Sequence, residues 1–153
     1  MNKQDRYDSL FDWYGSLHGV NWLKIKAQAI IESDLNPDAI NPVSKAKGLM
    51  QFMDATFLEW QDNTPGVQEL INKFRLINPL DPEDAIDHGS AYMAWLLKQT
   101  SQNWDNAWIC YNWGIGNWKR AMQQYGPAWQ DHLPEETRNY VARIRAKLQF
   151  MGG

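Results

Sequence analysis

Asn21-Trp22-Leu23-Lys24-Ile25-Lys26-Ala27-Gln28-Ala29-Ile30-Ile31-Glu32-Ser33 is the stretch whose reading decides the fold. Asn21 is a good N-cap, because its side-chain oxygen can accept a backbone N–H of the first helical turn. Leu23, Ala27, Ile30 and Ile31 follow at helical spacing. Proline pushes the residue before it out of the helical region, so Asn36-Pro37 stops this helix near Asp34. Glu32 is left in the last turn of an apolar helix. Desolvation and the negative end of the helix dipole both disfavour its charged form there. A Glu that keeps its proton near neutral pH can serve as a general acid. Position alone leaves open the alternative of a surface Glu at a helix end.

Outward from this helix the chain reads as nearly all helical. Asp5 to Leu17 places Leu10, Phe11, Tyr14 and Leu17 on one stripe, ended by Gly19. Ala39 to Lys47 holds Pro42 and no clear period, which predicts a loop. Asp54 can cap a short helix through Phe57, Leu58 and Trp60, and after a break at Pro65-Gly66 another short helix carries Val67, Leu70, Ile71 and Phe74. Asp81-Pro82-Glu83 is a strong helix start, with a capping Asp, proline at the first position and acids at the positive dipole end. Ala85, Ile86, Gly89, Tyr92, Met93, Leu96 and Leu97 continue it. Asn103 to Trp113 predicts a helix stopped by Gly114 and Gly116, Trp118 to Tyr125 a short one, and Pro134 opens a last helix with Tyr140, Val141, Ile144 and Leu148 inward. No stretch alternates with the period of a strand, so the fold class expected is all-α, in one domain over residues 1–153.

Composition narrows the function. A chain of 153 residues can bury a sizeable core. The net charge of −3 comes without any basic block, which gives nucleic-acid binding or attachment to an anionic membrane little support. Met1 to Arg6 leads into an amphipathic pattern, with no secretory, lipid-anchor or membrane-spanning segment expected. Cys110, the one cysteine, sits among Trp108, Ile109 and Tyr111 and reads as a core residue. His18, His88 and His132 stand in no motif and read as surface residues, since no metal-ligand spacing is present. Gly114-Ile115-Gly116 lacks a third glycine and a preceding strand, so it is no dinucleotide loop. Asp81, Glu83 and Asp84 read as helix-start charge, not calcium ligands. Nine tryptophans exceed what one small core needs, and such flat rings also stack on sugar faces.

Beyond Glu32-Ser33 come Gly48-Leu49-Met50-Gln51, Tyr111-Asn112 and Tyr140. Glycine permits a close backbone approach, Leu and Met fill apolar space, and Gln donates and accepts toward amides or hydroxyls. One placed acid among amide and aromatic groups suits acid-catalysed cleavage of a sugar bond.

In this ordered set the chain resembles the soluble lytic transglycosylase (SLT) domain, which shares a lysozyme-like fold with goose-type lysozymes. The resemblance runs from about Trp22 to Leu148. It implies that Glu32 is the catalytic acid, with Ser33 and Gln51 among the substrate-binding residues. The family's Gly-Leu-Met-Gln motif is unaltered at Gly48 to Gln51, and Met53 matches a substrate-contacting Met. The family's Ala-Tyr-Asn-x-Gly appears as Cys110-Tyr111-Asn112-Trp113-Gly114, so Tyr111 and Asn112 would line the site. Its late Glu-Thr-x-x-Tyr-Val appears as Glu136-Thr137-Arg138-Asn139-Tyr140-Val141. Glu136 would contact substrate and Tyr140 would bond or buttress Glu32. Asn41-Pro42 stands where Ser-Pro is common, and Asn41 can still hydrogen-bond substrate. The following loop is one residue longer near Ser44-Lys45, and Ala85 replaces a common Asn.

The resemblance implies peptidoglycan as the substrate, cleavage between N-acetylmuramic acid and N-acetylglucosamine, and a 1,6-anhydromuramyl product. It implies no metal and no cofactor, and a monomer is expected. The rivals are a goose-type lysozyme that uses water and a non-catalytic glycan-binding or virion structural module. Goose-type enzymes tend to carry Asp where this chain has Met53, although Asp54 follows it. A wall-degrading domain without an export signal suggests a phage endolysin or virion lysin, made in the host cytoplasm and acting on the wall.

Overall fold

The structure is a computed structural model and describes residues 2–53, 56 and 78–152. The two short helices expected between Asp54 and Phe74 lie outside the described residues, apart from Thr56, which is helical. The described elements are helical: α1 (Asp8–His18), α2 (Trp22–Ser33), α3 (Pro82–Gln99), α4 (Trp104–Trp113), α5 (Ile115–Tyr125) and α6 (Glu135–Phe150). Two 3-10 turns join them, η1 (Lys3–Asp5) and η2 (Gly126–His132). Among the described residues β structure is limited to isolated bridges of Lys47 with Ile40 and Phe52. The all-α expectation holds.

The chain forms two compact units, Met1–Tyr92 and Met93–Gly153. In the first, α1 packs on α2. Asn21 caps α2 as expected, its Oδ1 accepting from Leu23 N at 3.1 Å and Lys24 N at 3.3 Å. Asp34 ends it in the left-handed region at φ 52°. The helix differs from its pattern in one respect. Ile25 to Ile30 are all buried, polar Lys26 and Gln28 included, so α2 is a central element and not an amphipathic surface helix. The Lys26 ammonium meets Asp8 at 2.7 Å and Asp5 at 3.1 Å, both on the segment packed against it.

The stripe expected on α1 needs correction. Phe11 is fully buried, but Leu17 is 63% exposed. α1 meets α2 at Gly15, which lies against Trp22, so the inward face runs through residues 11 and 15 and leaves Leu17 outside. Asp81 starts α3 as expected, its Oδ1 accepting from Asp84 N at 3.0 Å. Asp84 in turn accepts from Asn78 N, and Glu83 accepts from the Tyr14 hydroxyl at 2.6 Å, which fastens α3 to α1. A second bond between the same helices is made by a histidine: His18 Nε2 lies 2.6 Å from Asp87 Oδ1. His88 is not a surface residue. It is buried on α3, and desolvation lowers its pKa.

In the second unit α4 packs on α5 and α6, and η2 packs on α5. Trp108, Cys110 and Ile144 are fully buried at its centre. α5 begins at Ile115, three residues before the predicted start at Trp118. Gly114, at φ 96°, is the single residue between α4 and α5, and Asn117 Nδ2 closes the end of α4 by donating to Trp113 O at 2.7 Å. η2 carries no helical period and was not expected. Burial pushes the Cys110 thiol up to about 12, which fits the core role and not a nucleophile.

Candidate active site

Glu32 is half-buried in the last turn of α2. What lies beside it is decided by Ser33. The Ser33 hydroxyl sits 3.1 Å from Ala29 O on its own helix and 2.8 Å from Leu49 O. A short side chain thus fastens the end of α2 to the Gly48–Gln51 turn, and two motifs separated in sequence become neighbours.

The turn has its own physical logic. Gly48 has φ +77° and donates its N–H to Ala39 O at 2.8 Å. A Cβ there would stand 1.9 Å from Pro79 O, so only glycine fits. Leu49 and Met50 are fully buried beneath the turn. Met50 occupies a notch on α3 left by Gly89, where a Cβ would meet Met50 Cγ at 2.8 Å. Gln51 stands at φ 50° and its Nε2 donates to Gly48 O at 3.0 Å and Ala39 O at 3.2 Å. Its amide N–H groups therefore brace the loop from inside. Asn41 Oδ1 accepts from Val43 N at 2.9 Å and Ser44 N at 3.0 Å, which shapes the loop that precedes the turn. Met53 is 46% exposed, open to a ligand. Glu32, Ser33, Asn41, Gln51 and Met53 therefore all belong to the first unit, on α2 and one connected loop.

Tyr111, Asn112, Glu136 and Tyr140 belong to the second unit. Tyr111 and Asn112 are half-buried near the end of α4. Asn112 Oδ1 accepts from the Thr137 hydroxyl at 2.8 Å, so the Tyr-Asn motif is tied directly to the late Glu-Thr-x-x-Tyr motif. Thr137 is 1% exposed and Tyr140, one turn later on α6, is 6% exposed; Glu136 faces solvent. Thr137 is a residue that sequence reasoning quoted without a role. Its signal was its place inside the motif, three residues before Tyr140 on one helix face.

The half-buried glutamate, the bond of its neighbouring serine and the glycine-dependent turn stand together in an all-α chain. The model of the Transglycosylase SLT domain matches residues 9–133, and the chain belongs to that family. Among curated relatives, it is 30% identical over 130 residues to the membrane-bound lytic murein transglycosylase F of Histophilus somni strain 129Pt, covering 79% of this chain and 23% of that protein. With the protein of the same name from Shewanella pealeana it shares 30% identity over 142 residues, 85% of this chain and 26% of the relative. Among solved structures, the 70-kDa soluble lytic transglycosylase of Escherichia coli superposes with a TM-score of 0.75 at 27% identity over 97% of this chain and 25% of that one. The complex of the 70-kDa soluble lytic transglycosylase with bulgecin A gives a TM-score of 0.77 at the same identity and coverage. The fold is thus the lysozyme-like all-α fold, and the chain spans about a quarter of the length of the relatives it matches.

Proposed function

We propose that this chain is a peptidoglycan lytic transglycosylase in which Glu32 is the acid and then the base. The observation that carries this is the Ser33–Leu49 hydrogen bond, which ties the residue after Glu32 to the Gly48–Gln51 turn. The family to which the chain belongs, and relatives named as lytic murein transglycosylases, supply the substrate class.

Glu32 protonates the glycosidic oxygen between N-acetylmuramic acid and N-acetylglucosamine. As that bond breaks, positive charge builds on the muramyl ring, and the neighbouring N-acetyl group assists. Glu32, now a carboxylate, takes the proton of the muramyl 6-hydroxyl, whose oxygen closes on C1. One glutamate suffices because the nucleophile is already part of the substrate, at high effective concentration. A hydrolase would need a second carboxylate to activate water or attack the ring. Met53 stands where goose-type enzymes tend to have Asp, and the aspartates nearest in sequence, Asp34 and Asp38, are solvent-exposed.

The other roles follow from the motif match. Ser33 and Gln51 hold the turn that faces substrate, Asn41, Met53, Tyr111, Asn112 and Glu136 contact the glycan, and Tyr140 supports the acid. The finer reading, a monomeric phage endolysin or virion lysin, rests on the sequence alone. Glu32→Gln tests the assignment. The variant should fold as the parent does and clear purified peptidoglycan at least about a hundredfold more slowly, the scale of a lost general acid. Clearing at the parent rate would remove Glu32 from the mechanism.

A further inference from the structure

Gln28 lies on α2 one turn before Glu32. It is fully buried, and neither its Nε2 nor its Oε1 has a hydrogen-bond partner among the described residues. Burying an amide without partners is costly, and a Leu or Met at this position would fill the same space without that cost. Its neighbours Ala27, Ala29 and Ile30 are all apolar and buried. A polar side chain kept at such a place calls for a reason outside packing.

Its position relative to Glu32 supplies one. Side chains four apart on a helix stand one above the other, with Cβ atoms about 5–6 Å apart. A long helical side chain also leans over the turn before its own. Gln28 therefore lies, with Ala29, on the face of α2 over which a side chain at position 32 leans. When Glu32 gives up its proton it becomes a carboxylate in a half-buried place, and a carboxylate accepts hydrogen bonds more strongly than the neutral acid does.

We propose that Gln28 is a positioning residue for Glu32: its buried carboxamide, without a partner among the described residues, turns to donate an Nε2–H to the carboxylate formed when Glu32 has protonated the leaving oxygen. This rests on the assignment of Glu32 as the acid. No bond to Gln28 is made or broken. The proton passes from Glu32 to the leaving sugar, and Glu32 recovers one from the 6-hydroxyl. Because the new hydrogen bond exists only after charge has appeared, it favours the transition state over bound substrate and acts on kcat, not on KM.

The test compares the parent, Glu32→Gln, Gln28→Met and Gln28→Leu on soluble uncross-linked glycan strands, with Tm measured for each. Gln28→Met should lower kcat about ten- to a hundredfold, the loss of a hydrogen bond to a charged group. KM should stay within about twofold, and Tm should rise by about 2–4 °C as the unpartnered amide is removed. Stability and turnover moving in opposite directions is the signature, since a packing role lowers Tm and leaves kcat alone. Parent-like kcat in both Gln28 variants, beside an inactive Glu32→Gln, overturns the Gln28 proposal only. A fall in Tm, or failure of both Gln28 variants to fold, makes Gln28 a structural amide and overturns it as well. A Glu32→Gln variant as active as the parent overturns the underlying assignment instead.

Discussion

Gly48 shows how much one residue can decide. Its positive φ disfavours a side chain, and its approach to Pro79 O leaves no room for a Cβ. Gly48→Ala should cost at least about 2 kcal/mol, a fall in Tm of about 5 °C or more, and should reduce activity with it. A parent-like melting curve would show that the turn relaxes at no cost. Tyr140 is expected to behave differently, since its proposed work is done by its hydroxyl. Tyr140→Phe should slow release of muropeptides while Tm moves by only a few degrees, the scale of about 1 kcal/mol. Unchanged activity would reduce the late tyrosine to packing. His88 adds a dependence on pH. Burial lowers its folded pKa, and the unfolded chain binds its proton more readily. The contribution of neutral His88 is therefore complete above its ordinary value of 6.5 and is lost as pH falls from there through the lowered folded value. Between pH 7.5 and pH 5.5 the parent should lose more Tm than a His88→Gln variant, and equal losses would show that His88 charges freely in the fold.

Among the elements, those with end signals were the readable ones. Asn21, Asn103 and Asp81 each place an oxygen at a first turn, and the helices begin where these residues said. Asn103 Oδ1 accepts from Asn106 N at 2.9 Å, so Asn103→Ala should cost about 1 kcal/mol, or about 2–4 °C in Tm, with activity per folded molecule unchanged. A Tm equal to the parent's would mean that water replaces the cap. The sequence was less informative where partners matter more than period. Leu17 falls on the apolar stripe, yet α2 meets α1 at Gly15. Lys26 looks like a surface residue in the pattern and is buried because Asp5 and Asp8 come to it. η2 has no period to read, and Gly114 looks like a break when it is a one-residue link between two helices. The candidate site was read from a different kind of signal. Glu32-Ser33 and Gly48 to Gln51 are local motifs whose residue types are fixed by chemistry. The bond that joins them, Ser33 to Leu49 O, depends on a backbone carbonyl and so leaves no mark in the sequence.

At the scale of the whole chain, the motifs divide between the two compact units, with Glu32 and the Gly48–Gln51 turn in the first and the Tyr-Asn and late tyrosine motifs in the second. Among the described residues no helix is long and apolar enough to cross a membrane, and no group of three or more His, Cys, Asp or Glu is placed to hold a metal ion. The proposed chemistry asks of the protein only proton transfer while the substrate exchanges one C–O bond for another, so activity should survive dialysis against EDTA. Loss of activity that returned with zinc or calcium would replace the mechanism with a metal-dependent one. The central claim, that the substrate's own 6-hydroxyl is the nucleophile, leaves its record in the product. Mass spectrometry of muropeptides released from purified peptidoglycan should show 1,6-anhydromuramyl ends, each lighter by one water than a lysozyme product. Reducing-end muropeptides alone would contradict the account and make the enzyme a hydrolase.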